Sequence, residues 1–255
     1  SKFTDCYMFE REEDLLDTFL NLIDDADILS GWNSEGYDIP YTVGRITRIL
    51  SKDDTRRLCL WGQHPKQREF ERFGATQTTF DLVGRVHMDY MQLYRKYTYE
   101  ERHSYSLDAI GEYELEERKT AYEGTLDQLY NKDFPKFLEY NRQDTKLVAK
   151  LDKKLRFLDL ANTIAHDNTV LLPTTMGAVA TTEQAIINEA HSQRLVVPNR
   201  KGRDTDAEDD SQAAGAYVAY PKKGMHEWIG AIDINSLYPS AIRALNMGPE
   251  TVVGQ

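Results

Sequence analysis

The sequence lacks the features of a disulfide-stabilised or membrane-spanning protein. Its two cysteines, Cys6 and Cys59, suit neither a disulfide framework nor a zinc-site spacing. No apolar run approaches the roughly 20 residues needed to cross a bilayer, and no basic start leads into an apolar signal segment. We therefore predict a soluble, cytoplasmic protein without a membrane partner.

An excess of positive charge is also absent. The formal net charge is -11 at pH 7, and a uniformly acidic surface repels a polyanion. This excludes a protein that coats nucleic acid without selectivity, so any such contact must be local. The histidines show no metal-ligand spacing and are predicted to be structural. With 255 residues, 40% of them hydrophobic, the chain can bury one large core or two modest ones.

Apolar periodicity predicts helices and strands in alternation, which indicates an α/β fold. The predicted helices are Glu12–Asp25, one beginning at Pro40, one capped by Ser106, a long one from Asp133 to about Leu160, Thr182–Gln193 and one starting near Pro239. The predicted strands are Asp27–Trp32, a hairpin over Gln67–Arg85 centred on Gly74–Gln77, Val86–Tyr90, Gly215–Tyr220 and Trp228–Ile234. The acidic run Asp204–Asp210 predicts a mobile loop.

Asp38 follows the first predicted strand, and ligands of α/β sheets collect at the carboxyl ends of strands. The alternative is that Asp38 caps the helix beginning at Pro40. Asp89 also closes a strand, but without a partner in view it is predicted to be structural, as a cap or a hydrogen-bond acceptor.

Tyr140 and Asp144 lie four residues apart on the long predicted helix, so their side chains project from one face. The alternative is a solvated face. Asp233 stands in the apolar run Ala231–Ile234, where burial is costly unless the carboxylate is paired or bound to metal. Carboxylates that converge on two divalent cations are a common solution for phosphoryl chemistry.

Four segments in order resemble family B DNA polymerases, in particular the replicative enzymes of large tailed phages. Asn33–Tyr41 is similar to the second exonuclease motif, with Tyr37 in place of the usual Phe, and Tyr140–Asp144 is similar to the third. Ser104–Asp108 matches a landmark between them. Asp233–Ser240, which reads Asp-Ile-Asn-Ser-Leu-Tyr-Pro-Ser, resembles polymerase motif A and is the most specific of the four.

The resemblance implies an internal fragment of such a polymerase. Residues 1–160 would form a partial 3′-to-5′ exonuclease domain with a ribonuclease H-like fold, 161–214 a helical connector with the acidic loop, and 215–255 the first strands of the palm. The Asp-x-Glu strand of the first exonuclease motif is missing and would precede Ser1, and the sequence contains no Asp-Thr-Asp-Ser motif. We therefore expect that this chain alone neither edits nor polymerises.

In the exonuclease, the resemblance makes Asp38 and Asp144 metal ligands, and Tyr140 would orient the attacking water. Asn33 would lie close to the frayed primer end. Each active site of the intact enzyme would hold two Mg²⁺ or Mn²⁺ ions.

In the palm, the resemblance makes Asp233 the ligand of the metal ions beside the incoming nucleotide. The backbone amides of Ser236 and Leu237 would meet its triphosphate, and Tyr238 would exclude a 2′-hydroxyl. Gly215 and Ala216 match part of a DNA-steering element, Tyr-x-Gly-Gly or Tyr-x-Gly-Ala, although Ala213 stands where the tyrosine is usual.

The implied partners are primer-template DNA, the single-stranded 3′ end of the primer, deoxynucleoside triphosphates and the remaining polymerase segments, with a sliding clamp reached through parts outside this chain. Two alternatives stay open. The chain could be one subunit of a naturally split polymerase, or a non-catalytic scaffold that grips DNA through the hairpin and through Arg200, Lys201 and Arg203, although these basic residues also suit a solvated turn.

Overall fold

Short strands alternate with helices in the computed structural model, as the apolar periodicity predicts. The model describes residues 7–72, 75–120, 124–197, 199, 215–248 and 251. The chain divides into two compact units, Ser1–Asn199 and Arg200–Gln255. No helix of the described residues is long and apolar enough to span a bilayer.

The first unit contains most of the regular structure. Its α-helices are α1 (Glu12–Leu22), α2 (Asp38–Ile49), α3 (Tyr90–Tyr97), α4 (Leu107–Leu115), α5 (Leu126–Lys132), α6 (Phe134–Leu155), α7 (Phe157–Asn168) and α8 (Ala178–Ser192). Its strands are β1 (Ile28–Gly31), β2 (Lys66–Arg72), β3 (Ala75–Asp81) and β4 (Val86–Asp89), and short 3₁₀ helices cover Asp53–Leu58 and Leu172–Met176.

The strands of the first unit form two pairs. β1 and β4 are parallel, in a register that sets Ile28 beside Val86 and Gly31 beside Asp89. The carboxyl ends of both strands therefore lie side by side. β2 and β3 form the predicted antiparallel hairpin, with Lys66 opposite Asp81.

Two apolar clusters stabilise the first unit. Of the two arrangements that the composition allows, one large core or two modest ones, this unit has two modest cores. One cluster joins α1 and α2 to the end of β3, and Leu20, Ile46 and Leu58 are almost fully buried in it. The other gathers β4 and helices α3, α4, α6 and α7 around Tyr94 and Leu147. The α/β character and the helix caps at Ser106 and Asp133 are thus confirmed.

The predicted helix from Asp133 to Leu160 is wrong beyond Leu155. Arg156 adopts the left-handed conformation with φ 55° and separates α6 from α7. The break turns Phe157 into the core, where its ring lies 6.2 Å from that of Tyr90, and burial of a large aromatic ring offsets the cost of the backbone conformation. Helices α7 and α8 belong to the first compact unit, whereas the predicted connector boundaries stay a prediction.

The predicted hairpin is confirmed, but the start of its second strand differs from the prediction. The predicted hairpin is centred on Gly74–Gln77, whereas β3 already begins at Ala75. Phe73 and Gly74 lie outside the described residues, as do the acidic run Asp204–Asp210 and the basic residues Arg200, Lys201 and Arg203.

The second unit does not contain the predicted palm strands. Neither Gly215–Tyr220 nor Trp228–Ile234 is a strand among the described residues 215–248, and the regular element there is helix α9 (Leu237–Ala244). A strand exists only through hydrogen bonds to a neighbouring strand, and the described part of this unit supplies none. The prediction of a helix near Pro239 is confirmed.

Candidate functional site

Asp38 is placed by the loop that follows β1. The chain leaves the strand at Gly31, turns at Asn33, whose φ is 58°, and enters α2 with Asp38 as its first residue. The helix start has no side-chain cap, so the capping alternative for Asp38 is wrong. Although Asp38 is exposed on one side, partial burial raises the pKa of its carboxyl, opposed by a hydrogen bond from its own backbone N–H.

Two exposed tyrosines flank Asp38. The rings of Tyr37 and Tyr41 are stacked, with centroids 5.7 Å apart and planes inclined by 7°, and both side chains are largely open to solvent. Sequence reasoning assigned neither of them a role. The signal that could have found the pair is their spacing of four residues across a helix start.

Tyr140 and Asp144 lie on α6 and meet a third residue, Lys119. The Lys119 ammonium donates to Asp144 Oδ2 at 2.7 Å and to the Tyr140 hydroxyl at 3.4 Å. Burial disfavours the charged ammonium, but the hydrogen bonds and charges of Asp144 and Tyr140 outweigh this, so the pKa of Lys119 lies above its ordinary value. The alternative of a merely solvated face is thus wrong for these two residues.

The other oxygen of Asp144 differs from Oδ2 in its surroundings. Asp144 Oδ1 is buried and finds no hydrogen-bond partner among the described residues. A buried, unsatisfied carboxylate oxygen is costly, and hard divalent cations such as Mg²⁺ prefer such an oxygen. Oδ1 is therefore the oxygen of Asp144 that suits a metal ion, since Oδ2 is paired with the Lys119 ammonium. Within the described part of the chain, however, no group of three or more acidic, histidine or cysteine side chains is placed so that it could hold a metal ion, so Asp38 and Asp144 alone do not complete a two-ion site.

The landmark Ser104–Asp108 organises the surroundings of this site. The carbonyl of Tyr105 accepts the indole N–H of Trp32 at 3.0 Å, directly after β1. Ser106 caps α4, and Asp108 Oδ1 accepts the backbone N–H of Lys119 at 2.7 Å. Asp108 thus fixes the backbone of the residue whose ammonium holds Asp144. Sequence reasoning missed Lys119, because nothing in its local context marks it.

In the second unit, the predicted site residues lie on an exposed segment. Asp233 is solvent-exposed and outside any strand, so the argument from its burial in an apolar strand is wrong. Ser236, with φ 52°, precedes α9, and Leu237 and Tyr238 form the first turn of that helix. Gly215 is exposed, and a side chain at its position would meet no neighbour within 4 Å.

Comparison with known proteins decides the family. Residues 2–110 match the model of the exonuclease domain of DNA polymerase family B, and residues 171–255 match the model of DNA polymerase family B itself. The chain belongs to this family. Both halves of the resemblance noted in the sequence are therefore confirmed, on either side of an unmatched segment at 111–170 that carries Lys119, Tyr140 and Asp144.

Individual family B relatives agree. The chain is 31% identical over 250 residues to a DNA-directed DNA polymerase of Escherichia phage RB69, and 28% identical over 249 residues to that of Enterobacteria phage T4. These matches cover 96% and 97% of the chain. The DNA polymerase delta catalytic subunit of Bos taurus is 28% identical over 256 residues. The chain spans about 27% of the length of the two phage relatives.

Proposed function

We propose that this chain is the editing segment and the first palm segment of a replicative DNA-directed DNA polymerase. The proposed editing reaction removes the last nucleotide of a primer. The oxygen of a water bonds to the phosphorus of that nucleotide, and the bond to the 3′ oxygen of the preceding nucleotide breaks. One proton of the water passes to the released 3′ oxygen, and a 5′-mononucleotide leaves. The observation that carries the proposal is Asp144, which lies one helical turn from Tyr140 and whose buried oxygen has no hydrogen-bond partner among the residues that the structure describes.

Asp38 and Asp144 are the proposed ligands of Mg²⁺ or Mn²⁺. Bound in pairs, such ions stabilise the attacking and the leaving oxygens of a phosphodiester. The residues of the chain then have distinct tasks. Tyr140 orients the attacking water through its hydroxyl, and Lys119 holds the Asp144 carboxylate in place through Oδ2.

The single-stranded primer end is proposed to lie beside the loop after β1. Bases stack on exposed aromatic rings with little sequence preference, and the Tyr37–Tyr41 pair offers such a surface next to Asp38. Asn33 lies on the same loop. The contact is local, in keeping with the net charge of -11.

Roles in synthesis are proposed for the second unit on the strength of motif A. Asp233 would bind the metal ions, the amides of Ser236 and Leu237 the triphosphate, and Tyr238 would exclude a ribose 2′-hydroxyl. Gly215 would help steer primer-template DNA. The ribonuclease H-like sheet, the palm sheet and both metal sites need the remaining polymerase segments, and a clamp contact would also lie there. We place the reaction in the cytoplasm of the cell that houses the replicating DNA.

Incubation with 3′-tailed, 5′-labelled single-stranded DNA and Mn²⁺ tests the proposal. The intact polymerase that carries this sequence should shorten the DNA from its 3′ end, whereas the 255-residue chain alone should leave it intact, because its carboxylates do not complete the site. Metal-dependent degradation by the chain alone, or none by the intact polymerase, would contradict the proposal. Recovery of activity on adding a separate polypeptide that carries Asp-x-Glu would identify a naturally split enzyme.

A further inference from the structure

Asp89 makes more hydrogen bonds than a helix cap requires. It is the last residue of β4 and only 6% exposed. Its Oδ1 accepts the backbone N–H of Met91 at 2.9 Å, which caps α3. The same oxygen accepts the N–H of Asn33 at 3.0 Å, and Oδ2 accepts the N–H of Glu35 at 3.1 Å.

A carboxylate is an expensive choice for this position. Burial raises the pKa of Asp89, and the three backbone N–H donors counter only part of that cost. Capping of α3 does not explain the choice, because serine or asparagine caps a helix about as well without a buried charge. The two bonds to the loop after β1 distinguish Asp89 from an ordinary cap.

That loop leads directly to Asp38. The register of the parallel pair sets Gly31 beside Asp89, so the loop starts next to the carboxylate. The carbonyl of Ser34 then accepts the N–H of Ile39 at 2.9 Å, inside the first turn of α2. Fixing the backbone of Asn33 and Glu35 therefore also fixes the helix start that carries Asp38.

The far side of the loop is held by the hairpin. Thr79 of β3 donates to the Glu35 carbonyl at 2.8 Å, and Arg68 of β2 donates to the Glu35 carboxylate at 2.6 Å. The Ser34 hydroxyl lies 2.9 Å from His87 Nε2. These contacts involve the side chains of Ser34 and Glu35 and the Glu35 carbonyl, whereas Asp89 accepts the backbone N–H groups of Asn33 and Glu35. Loss of the Asp89 carboxylate would remove these two hydrogen bonds.

We propose that Asp89 is a positioning residue of the editing site, which sets Asn33 and Asp38 through the backbone of the loop between β1 and α2. This inference rests on the proposed exonuclease function and deepens it. Asp89 touches neither DNA nor metal in this role. Misplacement of a reacting group by about 1 Å costs on the order of 10²-fold in rate, so a loose loop is enough to disable the site.

Asp89→Ser separates the two roles of the carboxylate, which are to cap α3 and to accept the backbone N–H groups of Asn33 and Glu35. Serine still caps α3, but its single, shorter oxygen cannot reach both loop amides. In the 255-residue chain, hydrogen exchange of the Asn33 and Glu35 amides should quicken by about tenfold or more, while the Met91 amide stays protected. Thr125→Ala is the matched control, because it removes the cap of α5 away from the loop.

The kinetic arm uses the intact polymerase. Asp89→Ser should slow the turnover step of primer-end hydrolysis, measured as kcat, by about 10²-fold. It should also raise the half-saturating Mn²⁺ concentration, with KM for single-stranded DNA nearly unchanged. Thr125→Ala should alter none of the three. If Asp89→Ser fails to fold, Asp89→Asn, which keeps Oδ1 and loses the Glu35 bond, should show the same pattern at smaller size.

The outcomes separate the two proposals. Faster exchange at Asn33 and Glu35 with unaltered turnover and unaltered Mn²⁺ dependence would overturn the positioning role of Asp89. Unchanged exchange at both amides would overturn it as well. Absence of hydrolysis by the unsubstituted polymerase would instead overturn the exonuclease function.

Discussion

The two units of the chain differ in how far their side chains are packed. In the first unit, Leu147 is fully buried between α6 and its neighbours, whereas Trp228 in the second unit is fully exposed. The motifs of both units can be read from the sequence, and that of the second unit is the most specific of them. A motif therefore indicates the chemistry of its residues. Their side chains have a fixed arrangement only where a hydrophobic core packs against the elements that carry them.

The same difference appears at the candidate catalytic carboxylates. The Lys119 ammonium donates to Asp144 and to the neighbouring Tyr140 hydroxyl, and one carboxylate oxygen of Asp144 is buried. Asp233 lies exposed on a segment without strands among its described residues. Three measurements test this difference between the two units.

The largest expected effect is that two substitutions in the intact polymerase each remove one activity, hydrolysis or synthesis, and spare the other. Asp144→Ala should lower 3′-to-5′ hydrolysis by about 10³-fold, the scale of losing one group that stabilises the transition state, and spare synthesis. Asp233→Ala should do the reverse. Primer extension and single-strand degradation are measured side by side, with Asp167→Ala on α7 as an exposed control. Loss of both activities in either variant would show that the units do not work separately.

The second effect is on stability. Leu147→Ala should lower the free energy of unfolding of the chain by about 2–5 kcal/mol, because it leaves a cavity in the core around Tyr94. Ile232→Ala should change it by less than about 0.5 kcal/mol, because Ile232 is almost fully exposed. Urea unfolding followed by circular dichroism measures both. Equal destabilisation by the two substitutions would erase the contrast between the units.

The smallest effect concerns Lys119 and alkaline pH. The pKa of Lys119 is raised in the folded chain, so its ion pair with Asp144 stabilises the fold fully below pH 10.5 and is lost as the pH rises through the raised pKa. At about pH 8, Lys119→Met should cost about 0.5–1 kcal/mol. The difference from wild type, followed by urea unfolding, should shrink above pH 10.5. A difference that is constant over this range would contradict the ion pair.

Sequence predicted the parts of the fold that local chemistry determines. Ser106 and the Asp133–Phe134–Pro135 start were found because caps and an early proline are local signals. The prediction that Asp89 is a cap or a hydrogen-bond acceptor is confirmed, because it caps α3. The helix itself was missed, since the predicted strand Val86–Tyr90 ran into its first residue. The break at Arg156 was missed because core packing, rather than a glycine, causes it.

The candidate site was predicted residue by residue but not in its surroundings. Asp38, Tyr140 and Asp144 stand in recognisable motifs. Lys119 reaches Asp144 from 25 positions away in the sequence, and Asp89 reaches Asn33 from 56. Contacts over such separations depend on the tertiary fold and leave no local pattern.

The proposed exonuclease requires that Asp38 and Asp144 bind metal in one shared site. A crystal of the intact polymerase soaked in Mn²⁺, with diffraction data collected at the manganese absorption edge, tests it most directly. We predict an anomalous peak about 2.1 Å from carboxylate oxygens, with Asp38 and Asp144 both among the ligands of the bound ions. Carboxylates that face away from each other, with manganese on one or neither of them, would contradict it.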